Sequence, residues 1–492
     1  MRILLRLIAV LVSIVLLSTG CTKYLTAKPQ SVSNDPNQIA GMPVKDGPSG
    51  LRSGAPAPTQ DVVNTDDGEI DRLAATAVGD IQEFWSGAYG PPLPGQFTPV
   101  DGLFSWDANE LNPDVVFCGE QTMEEVNAAW CGEPADNCSS AGRCSSSENT
   151  IGWDRGVLFA QERRAFGDMA IPLVLSHEYG HAIQFTSGRL VLHGGLVAEQ
   201  QADCFAGVYL RWVAEGNSPS FQLSTGDGLN KMLAALLGIR DPVATSEDVL
   251  NEHGSAFERV SSFQAGFTEG TSACVGIDDK EILQRRGDLP VTLQEGESGD
   301  IPVSEESLTN LVDVLNAVFH PVQPPKLSFD RQLCPGADSS APASYCPSTN
   351  TISADVRALQ KMSRSFSQTV GFGSQTLPQY GDYTAYSALV SRYMLAIAQQ
   401  KGLLLDNANA ALRTACLTGV ATAKLSKEVT LPSGDTIGLT AGDLDEAVAG
   451  LLTNGIVASD VNGQTVPSGF SRVDAFRTGV LGNEDRCIGR FS

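Results

Sequence analysis

The stretch Ser176-His177-Glu178-Tyr179-Gly180-His181-Ala182-Ile183-Gln184 holds two of the five histidines of a 492-residue chain, with a glutamate between them. On a helix, imidazoles four positions apart share one face and converge on one point, a spacing suited to Zn2+. Glu178 then projects beside them, placed to take a proton from bound water. Eighteen residues past His181, in Ala198-Glu199-Gln200-Gln201-Ala202-Asp203-Cys204, two carboxylates are again four apart. On a second helix Glu199 completes a His2Glu set that leaves a fourth position for water. Asp203, one turn on, is spaced to hydrogen-bond the outer nitrogen of a ligating histidine. The plain alternative is a solvated acidic face, but two carboxylates at that spacing with no basic partner repel mildly. One Zn2+ per chain is the cofactor this pattern predicts.

Those side chains need a helix over 170–186, and its flanks supply the signals. Gly167 and Asp168 precede it, Pro172 falls in the first turn where a missing N–H costs least, and Gly188 follows it. Leu175, Tyr179 and Ile183 lie roughly opposite the histidines and give the helix a packing side. A helix is expected upstream near Ala75–Trp85, then Pro-rich turns and a short strand at Gly102–Trp106. Later in the chain Glu306–Val318 and Lys326–Phe329 repeat that helix and strand. The fold class expected is α+β.

Gly167-Asp168-Met169-Ala170 ahead of the His177 helix, the run Ala202-Asp203-Cys204-Phe205-Ala206-Gly207 after Glu199, Gly226-Asp227, and His253-Gly254-Ser255-Ala256 with Arg259, Phe263 and Gly266 occur together. Jointly they resemble the neutral zinc metallopeptidase family of the gluzincin-like zincins, over roughly residues 70–277. The resemblance implies a zincin-like domain with a metal helix under a small sheet, and a protein or peptide substrate. It implies His177, His181 and Glu199 as zinc ligands, Glu178 as catalytic base and Asp203 behind the ligands. His253 either steadies an oxyanion across the cleft or is a structural histidine at a helix start; the sequence leaves both open.

An echo follows about 214 residues later, in Val390-Ser391-Arg392-Tyr393-Met394-Leu395-Ala396-Ile397-Ala398. Ser391, Arg392 and Leu395 stand where the metal helix has His177, Glu178 and His181, and Ala411 and Ala415 where Glu199 and Asp203 would be. Arg472, Phe476, Gly479 and Cys487 follow Arg259, Phe263, Gly266 and Cys274 at a shift of 213. Upstream, Cys346 with Asn350-Thr351-Ile352 matches Cys144 with Asn149-Thr150-Ile151. These matches predict a degenerate second copy of the same fold, unable to hold zinc by these residues. The expected divisions are a signal peptide with lipobox at 1–20, a flexible tether at 21–68, the metallopeptidase domain at 69–277, a connector at 278–300 and the second copy at 301–492.

Beyond Cys21 there are ten cysteines, an even number that in an exported chain predicts five disulfides. The repeat pairs Cys204 with Cys274 and Cys416 with Cys487, and sets Cys118 with Cys144 against Cys334 with Cys346, leaving Cys131 and Cys138. Cys118 with Cys131 and Cys138 with Cys144 is the open alternative. Arg2 and Arg6, an apolar run over 7–17 and Leu17-Ser18-Thr19-Gly20-Cys21 read as a secretory signal with a lipobox, so that lipid on Cys21 would hold the chain at the outer face of the cytoplasmic membrane. This layout is similar to actinobacterial lipoprotein peptidases. A net charge of −24 excludes nucleic acid as a partner. The leading expectation is a cell-surface peptidase. The rivals are a non-catalytic envelope scaffold with structural zinc and an amidase acting on wall peptides.

Overall fold

A computed structural model describes residues 35–132, 143–144, 149–188, 195–239, 254–290, 292–293, 299–330, 334, 342–364, 381–430 and 436–492, all within the unit that spans 34–492. Both helices and strands build it, as an α+β chain should. In the first half a short strand β1 (Gly50–Leu51) and β2 (Val62–Val63) lead into α1 (Glu69–Ala88). Then come β3 (Gly102–Trp106), β4 (Ala128–Cys131), β5 (Thr150–Asp154), α2 (Leu158–Phe166), α3 (Ala170–Thr186), α4 (Leu196–Ala214), β6 (Phe221–Gln222), α5 (Asp227–Gly238), α6 (Ala256–Glu269), α7 (Thr271–Gly276) and α8 (Asp279–Arg286). In the second half α9 (Glu305–Phe319), β7 (Lys326–Ser328), β8 (Ala343–Cys346), β9 (Thr351–Ala354) and α10 (Val356–Met362) precede four further helices. These are α11 (Asp382–Gln400), α12 (Ala408–Leu425), α13 (Asp443–Thr453) and α14 (Gly469–Val480), followed by the short α15 (Glu484–Arg490).

The first sheet runs in the order β2-β3-β5-β4. Its central strand β5 is parallel to β3 and antiparallel to β4, with Thr150 opposite Cys131 and Trp153 opposite Ala128. Every residue of β5 is buried, because Ile151 and Trp153 join the main core while Phe104, Trp106 and Phe117 form a smaller apolar cluster. β4 is an edge strand. Asp154 ends β5 and takes N–H groups from Gly156, Val157 and Leu158 into its carboxylate, which starts α2 without a hydroxyl cap. The second sheet has the order β7-β9-β8, with β9 parallel to β7 and antiparallel to β8.

Helix pairs α4/α6 and α12/α14 carry the core of the two halves. A Cβ on Gly266 would stand 1.8 Å from the carbonyl oxygen of Cys204, and one on Gly479 would stand 1.8 Å from that of Cys416. Only glycine lets backbone meet backbone there. Each crossing is fastened by a disulfide, Cys204–Cys274 and Cys416–Cys487. One continuous core joins the halves, and each caps a helix of the other. Phe257 N in the first turn of α6 donates to Asp445 Oδ1 at 3.0 Å, and Gly469 N at the start of α14 donates to Asn230 Oδ1 at 2.7 Å.

Three expectations change. From Asp35 onward the stretch assigned to a tether is packed: β1 pairs with β6, β2 pairs with β3, and Arg52 Nε donates to the carbonyls of Ser218 and Phe221. Main-chain groups, the Arg52 guanidinium and short polar side chains such as Asp46 and Ser49 hold this segment, so its lack of apolar periodicity misled. The connector likewise contains α8, whose Arg285 and Arg286 reach Glu281 and Glu258. The third concerns Cys118, which is bonded to Cys131 and not to Cys144. Cys131 ends the strand antiparallel to β5 just as Cys346 ends the strand antiparallel to β9, so the two cysteines hold the same place in their sheets. Cys21, Cys138, His253 and the side chain of Cys144 lie outside the described residues. Among the described residues no helix is long and apolar enough to cross a membrane.

Candidate metal centre

α3 is buried on nearly every side, so its two histidines are held in place by packing rather than by solvent-side contacts. Their rings lie edge to face with centroids 5.0 Å apart. α4 must come close for its carboxylates to reach them, and Gly180, inside the motif, permits this: a Cβ there would sit 2.7 Å from Ala202 Cα. Glu199 and Asp203 then fall on the side of α4 that faces α3.

The ligand atoms of His177, His181 and Glu199 lie within 4.8 Å of one another, and this group could hold a metal ion. Glu199 spans both imidazoles, with Oε2 3.1 Å from His177 Nε2 and Oε1 3.4 Å from His181 Nε2. The outer nitrogens are fixed separately. His177 Nδ1 donates to Asp203 Oδ1 at 2.8 Å, and His181 Nδ1 is 3.0 Å from Gln184 Oε1. With Nδ1 donating, each Nε2 is directed at the common point. Asp203 is fully buried and is itself gripped by Arg259, whose Nε donates to Oδ2 at 2.9 Å and Nη2 to Oδ1 at 2.8 Å. Gln184 in turn donates to Ala198 O at 2.7 Å, which ties the second histidine back to α4.

Electrostatics at this point favour added positive charge. Burial works against a proton on His177, but the Asp203 carboxylate and its hydrogen bond, together with Glu199, hold the imidazole up at about 10. Burial opposes a proton on His181 too, and Glu199 outweighs it. Glu199 is held well below the usual carboxylate range, because the two histidines overcome its burial. Arg259 and His177 do the same for Asp203. Without metal, protons on imidazoles supply the charge the carboxylates demand; a divalent cation supplies it in their place, with neutral imidazoles as ligands. The donor set therefore fits a small cation with nitrogen and oxygen ligands.

Glu178 stands beside this group. Its Oε2 accepts the main-chain N–H of Trp130 at 3.0 Å, so the edge strand β4 passes directly along the site. The N–H of Ala128, two residues back, also turns away from β5 to Asn127 Oδ1. Trp130, Gln184 and the grip of Arg259 on Asp203 were not identified from sequence as parts of the site. Gln184 had a signal, at three positions past His181 on one helix face; Trp130 acts through its backbone and has none.

A second group, Asp300, Asp382 and Glu446, also brings ligand oxygens within 4.8 Å, and sequence gave no hint of it. It contains carboxylates alone. Burial first, and then neighbouring carboxylates, push Asp382 up to about 6, Glu446 up to about 10 and Asp443 beside them well above the usual range. Glu446 therefore keeps its proton at neutral pH, where Glu199 cannot.

No protein-family model, no curated protein and no solved structure matches this chain.

Proposed function

We propose that the chain is a zinc-dependent peptidase of the cell envelope, with His177, His181 and Glu199 as zinc ligands. The observation that carries this reading is the convergence of those ligand atoms beside Glu178, a carboxylate outside the ligand group and next to an edge strand. A structural site closes its fourth position with a protein ligand, whereas the group that converges here among the described residues supplies three.

Held by His177, His181 and Glu199, a zinc ion would supply a Lewis acid that lowers the pKa of water and polarises a carbonyl. Glu178 accepts the proton of the attacking water and returns it to the leaving amine, the two halves of general base and general acid work. To do so it exchanges its Trp130 N–H contact for the water. His177 and His181 stay oriented because Asp203, Arg259 and Gln184 hold their outer nitrogens. An extended peptide is the substrate class that fits, since β4 is the edge strand of its sheet among the described residues and a strand can add there.

The same reading takes 301–492 as a degenerate copy of a zincin-like fold. In its favour are the matching element order, the matching order of strand, parallel neighbour and antiparallel neighbour, the paired disulfides and the reciprocal helix caps. The four disulfides suit an oxidising extracellular compartment. Export by a signal peptide and lipid on Cys21 extend the proposal.

The test is zinc content and cleavage of a peptide library by the exported chain, compared with Glu178→Ala. About one zinc per chain in both, with cleavage lowered by at least ~10^2-fold in the variant, is expected. Zinc in both with no cleavage in either would favour the scaffold reading instead.

A further inference from the structure

Phe185 lies four residues past His181 on α3 and therefore on the same face, about 6 Å further along the helix axis. It is one of the few large apolar side chains on the surface, 44% exposed, at the end of an otherwise buried helix. Its ring meets that of Trp130 with centroids 5.2 Å apart and planes inclined at 47°. Trp130 is the residue whose backbone N–H holds Glu178, so a single residue links this aromatic pair to the metal centre.

The Trp130 ring is fixed from two further sides. Its Nε1 donates to Asn149 Oδ1 at 2.8 Å, and Asn149, buried, anchors itself by donating to Pro99 O at 3.0 Å. Behind the ring is Gly132, where a Cβ would stand 2.3 Å from the indole. A side chain there would push the indole out of place. The rings are thus preorganised, and they stand within one residue's reach of the metal ligands.

We propose that Trp130 and Phe185 form an aromatic wall that selects a large apolar side chain, aromatic or long aliphatic, at a position adjoining the bond that is cut. This rests on the peptidase reading. A peptide running along β4 brings its backbone past Glu178 and its neighbouring side chain against the rings. Covering the exposed part of Phe185 with an apolar group supplies the selectivity.

The experiment compares cleavage of a peptide library by the zinc-loaded full chain, Phe185→Ala, Phe185→Leu and Trp130→Ala, with zinc content measured for each. Wild type is expected to cut next to Phe, Leu or Met over Ala by roughly ten- to a hundredfold in kcat/KM. Phe185→Ala, at a half-exposed position, should collapse that ratio mainly through KM with zinc content unchanged, and Phe185→Leu should restore most of it. Trp130→Ala keeps the backbone N–H on Glu178 and should reduce the ratio as well. Cleavage without apolar preference, or a preference that Phe185→Ala leaves intact, overturns this inference alone. A zinc-loaded wild type that cuts nothing overturns the peptidase reading and this inference together.

Discussion

The helix pairs α3/α4 and α11/α12 share a sequence pattern and carry different side chains at its matched positions. In the first, two histidines and two carboxylates gather around one point. In the second, Ser391, Leu395, Ala411 and Ala415 stand at the corresponding positions, and Arg392 takes the place of Glu178. Arg392 is 1% exposed, yet its guanidinium is satisfied: it donates to the carbonyls of Ile456, Ser459 and Asp460 and to the hydroxyls of Ser459 and Ser391. The charged position that faces the edge strand in one half ties a loop to the core in the other. A helix pair can lose every metal ligand and keep its packing, provided the buried polar positions acquire new partners.

That difference predicts where each half is vulnerable. Arg392→Met removes the donor for a set of carbonyls that no longer meets water, and unpaired buried acceptors of this kind cost about 1–3 kcal/mol each. The variant is expected to lose about 3 kcal/mol in urea unfolding. Zinc content of the folded fraction should stay as in wild type. A loss of zinc without a loss of stability would contradict the division of labour between the halves.

The second acidic group separates the halves by pH. Asp382, Asp443 and Glu446 keep their protons to higher pH in the folded chain than in the unfolded one, because burial and mutual repulsion penalise their charges. The folded state then binds more protons, so this contribution is full below the ordinary carboxyl range and is lost as pH rises, through about 6 for Asp382 and about 10 for Glu446. Asp382→Asn removes a charge the fold suppresses while keeping an acceptor for the Ile301 N–H. It is expected to stabilise the chain by about 2 kcal/mol at pH 8 and to leave it unchanged near pH 4. Unfolding midpoints at the two pH values measure this, and equal effects at both would rule out the charge as the cause.

Helical spacing made the centre legible. His177, His181, Glu199 and Asp203 are read from i,i+4 pairs because a helix maps sequence distance onto one face, and Gly167 and Gly188 bracket the helix that the structure places at Ala170–Thr186. The strand at Gly102–Trp106 was equally plain, between Pro-rich turns and an abrupt return to polar residues. What stayed hidden depends on tertiary approach. Trp130 reaches Glu178 from 48 positions away, through an amide that carries no residue identity. Asp382 and Glu446 are 64 residues apart and meet only because the first turns of α11 and α13 come together. Sequence leaves Cys118 open between Cys144 and Cys131 because matching by position favours the one, whereas the bond follows the strand that Cys131 ends.

The finest contrast is between two arginines at equivalent turns. Arg259 and Arg472 both send a guanidinium nitrogen to the carbonyl at the end of the preceding helix segment, Ile239 and Leu452. Arg259 also has Asp203 on its Nε. Arg472 Nε is buried with no partner among the described residues, and burial lowers this group to about 10. Ala415, fully buried on α12, directly precedes Cys416 as Asp203 precedes Cys204 on α4, and it carries no carboxylate. Ala415→Asp should place an oxygen on that Nε and raise the urea midpoint by about 1 kcal/mol, small because burying a second charge offsets most of the hydrogen bond it makes. Ala415→Asn, with an acceptor and no charge, separates the two effects: if it stabilises and aspartate does not, the site needs the hydrogen bond alone. If both destabilise, α12 does not present residue 415 to Arg472 as α4 presents Asp203 to Arg259, and the equivalence of the two helix pairs fails at its most specific point.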